Sequence, residues 1–189
     1  NLGGGGFMLV YIKEKQEIYY IDYRSSSPLN ANIKDLFNTN LPKDYKKTDF
    51  DKSRFGYKAS AIPGTVAGLL EAHRNFGKLS LKEILEPVIK QASEGIKVSY
   101  DLNKAIESTP QLFNDPESRK IYFDNGKPLV KNSLMKRPDL AKTLLHISTN
   151  GHKGFYEGPT AKKIVDAMNA NNGFMTLEDF KNYKVNSGS

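Results

Sequence analysis

The sequence contains no cysteine, which excludes disulfides, thiolate metal sites and a cysteine nucleophile. Histidine is scarce, with only His73, His146 and His152 present, so no histidine-built metal site is expected within this chain. There is no long apolar run either. Mean hydropathy is −0.55, and no stretch approaches the roughly 20 apolar residues that a membrane-crossing helix needs. A membrane span is therefore not expected. Arginine is limited to Arg24, Arg54, Arg74, Arg119 and Arg137, so the basic character rests on lysine. The formal net charge of +7 and pI near 9.3 favour anionic partners in general. Yet the cations are spread along the chain. The densest stretch, Lys43 to Arg54, interleaves its lysines with Asp44, Asp49 and Asp51. That pattern reads as a solvated loop of mixed sign, and no nucleic-acid partner is expected.

The 189 residues, 38% hydrophobic and 26% charged, suit one ordinary domain or a large piece of a bigger one. The opening Asn1-Leu2-Gly3-Gly4-Gly5-Gly6 enters an apolar strand at once, without room for a signal peptide. The closing Asn186-Ser187-Gly188-Ser189 reads as a linker-like tail. Both ends suggest an excerpt of a longer polypeptide.

Four stretches are expected along the chain: a hairpin over residues 1–28, a loop-rich part over 29–60, a helical part over 61–185, and the tail over 186–189. Phe7–Ile12 and Ile18–Tyr23 are rich in strand formers around a polar turn. The first run is apolar on both faces, which predicts a ribbon buried between layers. Ser25-Ser26-Ser27-Pro28 signals a turn, and a short helix is conceivable around Asn32–Phe37. Thr65 to Phe76 reads as a helix stopped by Gly77. Ser80-Leu81-Lys82-Glu83 is a capping box that opens a helix with Leu81, Ile84, Leu85, Val88, Ile89 and Ala92 on one face. Pro87 inside it predicts a kink or a break. Ser99 caps the next helix, which ends before Pro110. Residues 114–130 read as irregular, with a strand candidate at Lys120–Phe123 and a turn at Asn125-Gly126. Pro138 and Pro159 each begin a helix, and Thr176-Leu177-Glu178-Asp179 opens a last short one.

Each candidate for chemistry has an ordinary structural reading beside it. Gly3 to Gly6 lead into a strand, not into a helix N-terminus, so they do not form a phosphate loop. Their missing side chains instead point to a positive φ or to a close approach by another backbone or a ligand. His146 and His152 lack metal-ligand spacing, and His152 suits the dipole of a helix C-terminus. Glu178 and Asp179 sit in a first helical turn, where carboxylates are favoured in any case. The hydroxyls of Ser25, Ser26, Ser27 and Thr65 have no neighbouring base to take a proton. No catalytic residue, metal ligand or cofactor is therefore assigned to this chain. Arg24, placed where the second strand ends, could grip a carboxylate through two parallel hydrogen bonds.

Eight segments, taken in order, resemble the large-subunit region of the γ-glutamyltransferases, also called γ-glutamyltranspeptidases or glutathione hydrolases. They are Gly3–Tyr11, Ile21–Arg24 with Pro28, Ala61–Gly68, Leu85–Ile89, Gly95 with Val98-Ser99, Arg137–Leu144, Gly154–Gly158, and Thr176–Phe180 with Tyr183. The resemblance covers nearly the whole chain.

It implies part of an α/β N-terminal-nucleophile hydrolase fold, an αββα sandwich to which this segment contributes a buried hairpin and mostly helices. It also implies a precursor that cuts itself into two subunits. The new N-terminal threonine of the small subunit attacks γ-glutamyl amides such as glutathione, with its own amine as base. That threonine motif does not occur here, and Ser148-Thr149-Asn150-Gly151-His152 does not match it. The expected partner is the small subunit, the expected location periplasmic or secreted, and this segment alone is expected to be inactive. By position, Arg24 takes the family's role of binding the α-carboxylate of the glutamyl group. The chain departs from the family pattern at Ser25 and Ser27, where an acid and an alanine are usual. Two alternatives stand beside this reading: a helical interaction module for an acidic partner, and a relative acting on capsular poly-γ-glutamate.

Overall fold

The computed structural model describes residues 2–32 and 56–189. The helix expected beyond Asn32 and the mixed-sign stretch Lys43–Arg54 lie outside them. In chain order the elements begin with β1 (Phe7–Ile12), β2 (Glu17–Asp22), α1 (Thr65–Phe76) and α2 (Leu81–Glu94). Then come β3 (Ile96–Lys97), α3 (Tyr100–Glu107), α4 (Gln111–Asn114), α5 (Pro116–Tyr122), β4 (Phe123–Asp124), β5 (Lys127–Pro128) and β6 (Leu134–Met135). The chain closes with α6 (Pro138–Asn150), α7 (Lys153–Tyr156), α8 (Gly158–Ala170), α9 (Leu177–Asn182) and β7 (Asn186–Gly188). The fold is mixed α/β and mostly helical. No helix among the described residues is long and apolar enough to cross a membrane.

Two compact units are present, Asn1–Lys78 with Asn150–Ser189, and Leu79–Thr149. In the first, β1 pairs antiparallel with β2, from Phe7 opposite Asp22 to Ile12 opposite Glu17. β7 adds to the other edge of β2. The expected linker-like tail at 186–189 is thus a strand, because its small residues fit beside Tyr20–Asp22. Residues directly opposite in an antiparallel pair share a face. Met8, Val10, Tyr19 and Ile21 form one face, against which α1 packs, and the Tyr19 ring meets Phe76 edge-on at 5.4 Å. The other face carries Phe7, Leu9, Tyr11, Ile18 and Tyr20, and Phe7 and Leu9 remain 66% and 75% exposed. Of the two layers expected around the hairpin, the described residues supply the one over the first face. Among the described residues no layer lies over its second apolar face.

Below the sheet, Ile62, Val66, Phe155, Tyr156, Ala161, Val165, Met175 and Phe180 form the core of this unit. Phe155, Tyr156 and Phe180 are within aromatic contact of one another.

The second unit is built around α2, α3, α5 and α6. The capping box of α2 is complete: Glu83 N–H donates to Ser80 Oγ, and the Glu83 carboxylate accepts from Ser80 N–H. Of the kink or break expected at Pro87, the break does not occur, and α2 runs through it as one helix. Pro87 and Glu83, the residue one turn earlier, are both exposed, so the carbonyl that loses its partner is on the solvent side of the helix. The irregular stretch expected at 114–130 is largely ordered. Asp115 accepts from Ser118 N–H at 2.7 Å and caps α5, which starts on Pro116. Lys120–Tyr122 is helical as a result, and only Phe123 enters a strand. The Asn125-Gly126 turn, with both φ values positive, joins β4 to β5 as expected.

Candidate functional site

Arg24 leaves the end of β2, and several glycines let the surrounding backbone close in on it. A β-carbon on Gly5 would lie 2.5 Å from Ser25 N and 2.6 Å from the Tyr23 carbonyl. One on Gly64 would collide with that same carbonyl and with the Tyr183 hydroxyl, and one on Gly68 with the Tyr23 ring. Of the explanations open for the glycine run, close backbone approach is the one seen at Gly5. The Gly4 carbonyl accepts from Gly64 N–H at 2.9 Å and Thr65 N–H at 3.0 Å, so the run satisfies donors at the start of α1.

Beyond these contacts the Arg24 main chain is held at both of its polar groups. Its N–H donates to Asp22 Oδ1 at 3.0 Å. Its carbonyl accepts from the Tyr183 hydroxyl at 2.7 Å. Two residues on, Ser26 exchanges two backbone hydrogen bonds with Ile62, at 3.1 and 2.8 Å. The turn ends at Leu29, whose N–H donates to Asp179 Oδ1 at 2.9 Å. The Arg24 side chain is exposed, and its guanidinium lies 5.6 Å from the centre of the Phe7 ring. That ring belongs to the exposed apolar face of the sheet, opposite the one packed on α1.

An open hollow of about 440 Å³ is lined by Asp22, Arg24, Ser26, Ser27, Leu29, Ile62, Asp179, Asn182, Tyr183, Lys184 and Asn186. Its two carboxylates are engaged: Asp22 takes the Arg24 N–H, and Asp179 uses Oδ1 for Leu29 and Oδ2 for Thr176. Arg24 and Lys184 supply its positive charge. Such a hollow suits a small anionic group, and a guanidinium can bind a carboxylate bidentately.

Tyr183 is 7% exposed and Asp179 6%. Burial is the larger cause pushing the Tyr183 phenol above its ordinary pKa of 10, and the Asp22 charge adds to it. The hydroxyl therefore stays a donor at neutral pH. The Tyr183 ring stacks parallel to Tyr156, with centroids 5.6 Å apart and planes 5° apart. Tyr156 in turn donates to the Pro63 carbonyl at 2.7 Å and accepts from Ala67 N–H at 3.2 Å.

His152 stacks on the other tyrosine of this column, 4.3 Å from Tyr156. Dehydration of the ring pulls its pKa below the usual 6.5, against the opposing pull of Glu157. Besides following the C-terminus of α6, His152 is the N-cap residue of α7. His146 and His152 do not join a metal-binding cluster, and no group of three candidate ligands gathers among the described residues. The sequence placed Arg24 at the strand end, where it is found. It read Asp179 as a first-turn carboxylate only and attached no chemistry to Tyr183. The spacing of four residues between those two was the available signal.

The family model described as Gamma-glutamyltranspeptidase matches residues 1–189. Over 185 residues the chain is 38% identical to the glutathione hydrolase proenzyme of Pseudomonas aeruginosa, covering 98% of this chain and 31% of that protein. The chain thus spans under a third of that relative's length. It superimposes on the γ-glutamyltranspeptidase of Helicobacter pylori with a TM-score of 0.88 at 32% identity, over 99% of this chain and 52% of that one. A cephalosporin acylase from Bacillus halodurans gives a TM-score of 0.84 at 19% identity, over all of this chain and 35% of that one, a likeness of fold alone.

Proposed function

The chain belongs to the γ-glutamyltranspeptidase family, and from that premise we propose that it is part of the large subunit of an enzyme that cleaves γ-glutamyl amides. Arg24 binds the α-carboxylate of the glutamyl group. The observation that carries this reading is an arginine whose main-chain N–H and carbonyl are both bound, which lines an open hollow and whose guanidinium lies by the Phe7 ring. The nucleophile is a threonine of the small subunit, released as a new N-terminus when the precursor cuts itself. Its hydroxyl attacks the γ-carbonyl, its amine takes the proton, and the departing amine leaves a γ-glutamyl ester for water or an acceptor amine to resolve.

The two faces of the ribbon support the same proposal. One face is clad by α1 and the other is apolar and, among the described residues, bare, as expected for half of an αββα sandwich awaiting its second sheet. Covering Phe7, Leu9, Tyr11 and Ile18 contributes about 1.5–3 kcal/mol for each side chain fully buried. The same covering layer lowers the local dielectric around the Arg24 guanidinium, which strengthens its hold on a carboxylate.

The test is Arg24→Lys in the mature two-subunit enzyme. Lysine keeps the charge and loses the planar fork, so KM for a γ-glutamyl anilide should rise about ten- to a hundredfold. An unchanged KM removes Arg24 from the site. The 189-residue chain alone should release no aniline, and turnover by it would place the nucleophile within this segment.

A further inference from the structure

We propose that Asp179 and Tyr183 are positioning residues that set the Arg24 loop for carboxylate recognition; this rests on the reading of Arg24 given above. The two stand four residues apart, in α9 and just past its end, so both meet the same length of chain. Tyr183 donates to the Arg24 carbonyl at 2.7 Å, and Asp179 accepts from Leu29 N–H at 2.9 Å. One grips the first residue of the loop and the other its last. Between them the Ser26–Ile62 bridge holds the middle.

Each clamp is itself anchored. Asp179 Oδ2 accepts from Thr176 N–H and Oγ, at 2.8 and 2.7 Å, which fixes the carboxylate that reaches Leu29. Tyr183 lies flat on Tyr156, and Tyr156 is bound to Pro63 and Ala67. The Tyr183 hydroxyl is packed so closely that Gly64 has no room for a methyl group. This rigidity bears on recognition because Arg24 lies beyond the β2 ladder and its side chain is exposed, with its guanidinium over the Phe7 ring. The direction of the side chain is therefore set mainly by its own peptide planes. Tilting those planes swings the guanidinium by about an ångström, and a misplacement of that size can cost on the order of a hundredfold in an oriented site.

The experiment uses the mature enzyme made from the full precursor, with Tyr183→Phe, Asp179→Asn, Arg24→Lys and the double variant Tyr183→Phe/Arg24→Lys. Each is assayed with a γ-glutamyl anilide and with 4-aminobutyryl anilide, which lacks the α-carboxylate. Tyr183→Phe keeps the ring stack and removes one hydrogen bond, so KM for the γ-glutamyl anilide should rise about three- to tenfold with kcat within about twofold. Its kcat/KM on the carboxylate-free substrate should not change. Asp179→Asn should act in the same direction, and the Tyr183→Phe effect should vanish in the Arg24→Lys background. If Arg24→Lys raises KM for the carboxylate-bearing substrate while both clamp variants leave it untouched, the positioning role fails and the Arg24 reading stands. Equal losses on both substrates would mark the clamps as merely structural and overturn the proposal. If Arg24→Lys itself does not discriminate between the substrates, the Arg24 reading fails and the positioning role falls with it.

Discussion

Ser80-Leu81-Lys82-Glu83 and Thr176-Leu177-Glu178-Asp179 are nearly the same sentence written twice, and both open a helix through a reciprocal capping box. In each box one oxygen of the acid takes the cap residue's N–H and hydroxyl: Glu83 Oε2 at 2.8 and 2.6 Å, Asp179 Oδ2 at 2.8 and 2.7 Å. There the likeness stops. Glu83 is exposed, and its carboxylate is bonded to Ser80. Asp179 is buried, and its second oxygen reaches Leu29, 150 residues away along the chain. One box starts a helix. The other starts a helix and also holds the loop that carries Arg24. A shared local motif therefore says where a helix begins and nothing about what else its acid does.

The largest test of that contrast is Asp179→Ala. It removes the box and leaves the Leu29 N–H without its partner, a loss of about 2–4 kcal/mol in urea denaturation. Ser80→Ala should cost about 1 kcal/mol and leave KM for γ-glutamyl substrates unchanged. Should the two substitutions prove equal in stability and equally silent in KM, the distinction between the boxes collapses. The smallest effect is in acid. Hydrogen bonds from Ser80, the side chain's first and the backbone's second, hold the Glu83 carboxyl below its ordinary pKa of 4.5. Its contribution is then complete above the unfolded value and is lost as pH falls through the lower folded one. Glu83→Gln should flatten the stability curve only below pH about 4.5, read as the unfolding midpoint against pH.

The helix starts at Ser80, Ser99, Pro138 and Thr176 were legible because their partners lie within one turn. Asp115-Pro116 is an equally local signal, set against the strand formers at Lys120–Phe123. α5 forms there because a cap and an N1 proline outweigh the weak strand propensity of so short a run. The glycine run was recognisable as a place of close approach. That its neighbour is the backbone of Tyr23–Ser25 could not be read, since the crowding arises only after β1 and β2 pair. Arg24 was found through its place after a strand and through family resemblance. Its clamps were not, because Tyr183 and Asp179 look like ordinary residues of a short amphipathic helix. Likewise the apolar pattern of Phe7–Ile12 announced two faces seeking cover, but not that α1 would cover only one of them.

Sequence alone determined the things that depend on neighbours three or four residues apart: the helix starts, the alternation of the ribbon, the turn at Asn125-Gly126, and the absence of thiol chemistry. Only the tertiary structure decided which ribbon face is clad, that Asn186–Gly188 is a strand, and that α9 returns to hold Arg24. The physical reason is distance along the chain. A capping bond closes a short loop whatever the rest of the protein does, whereas the Tyr183–Arg24 and Asp179–Leu29 bonds exist only once the core has brought distant segments together.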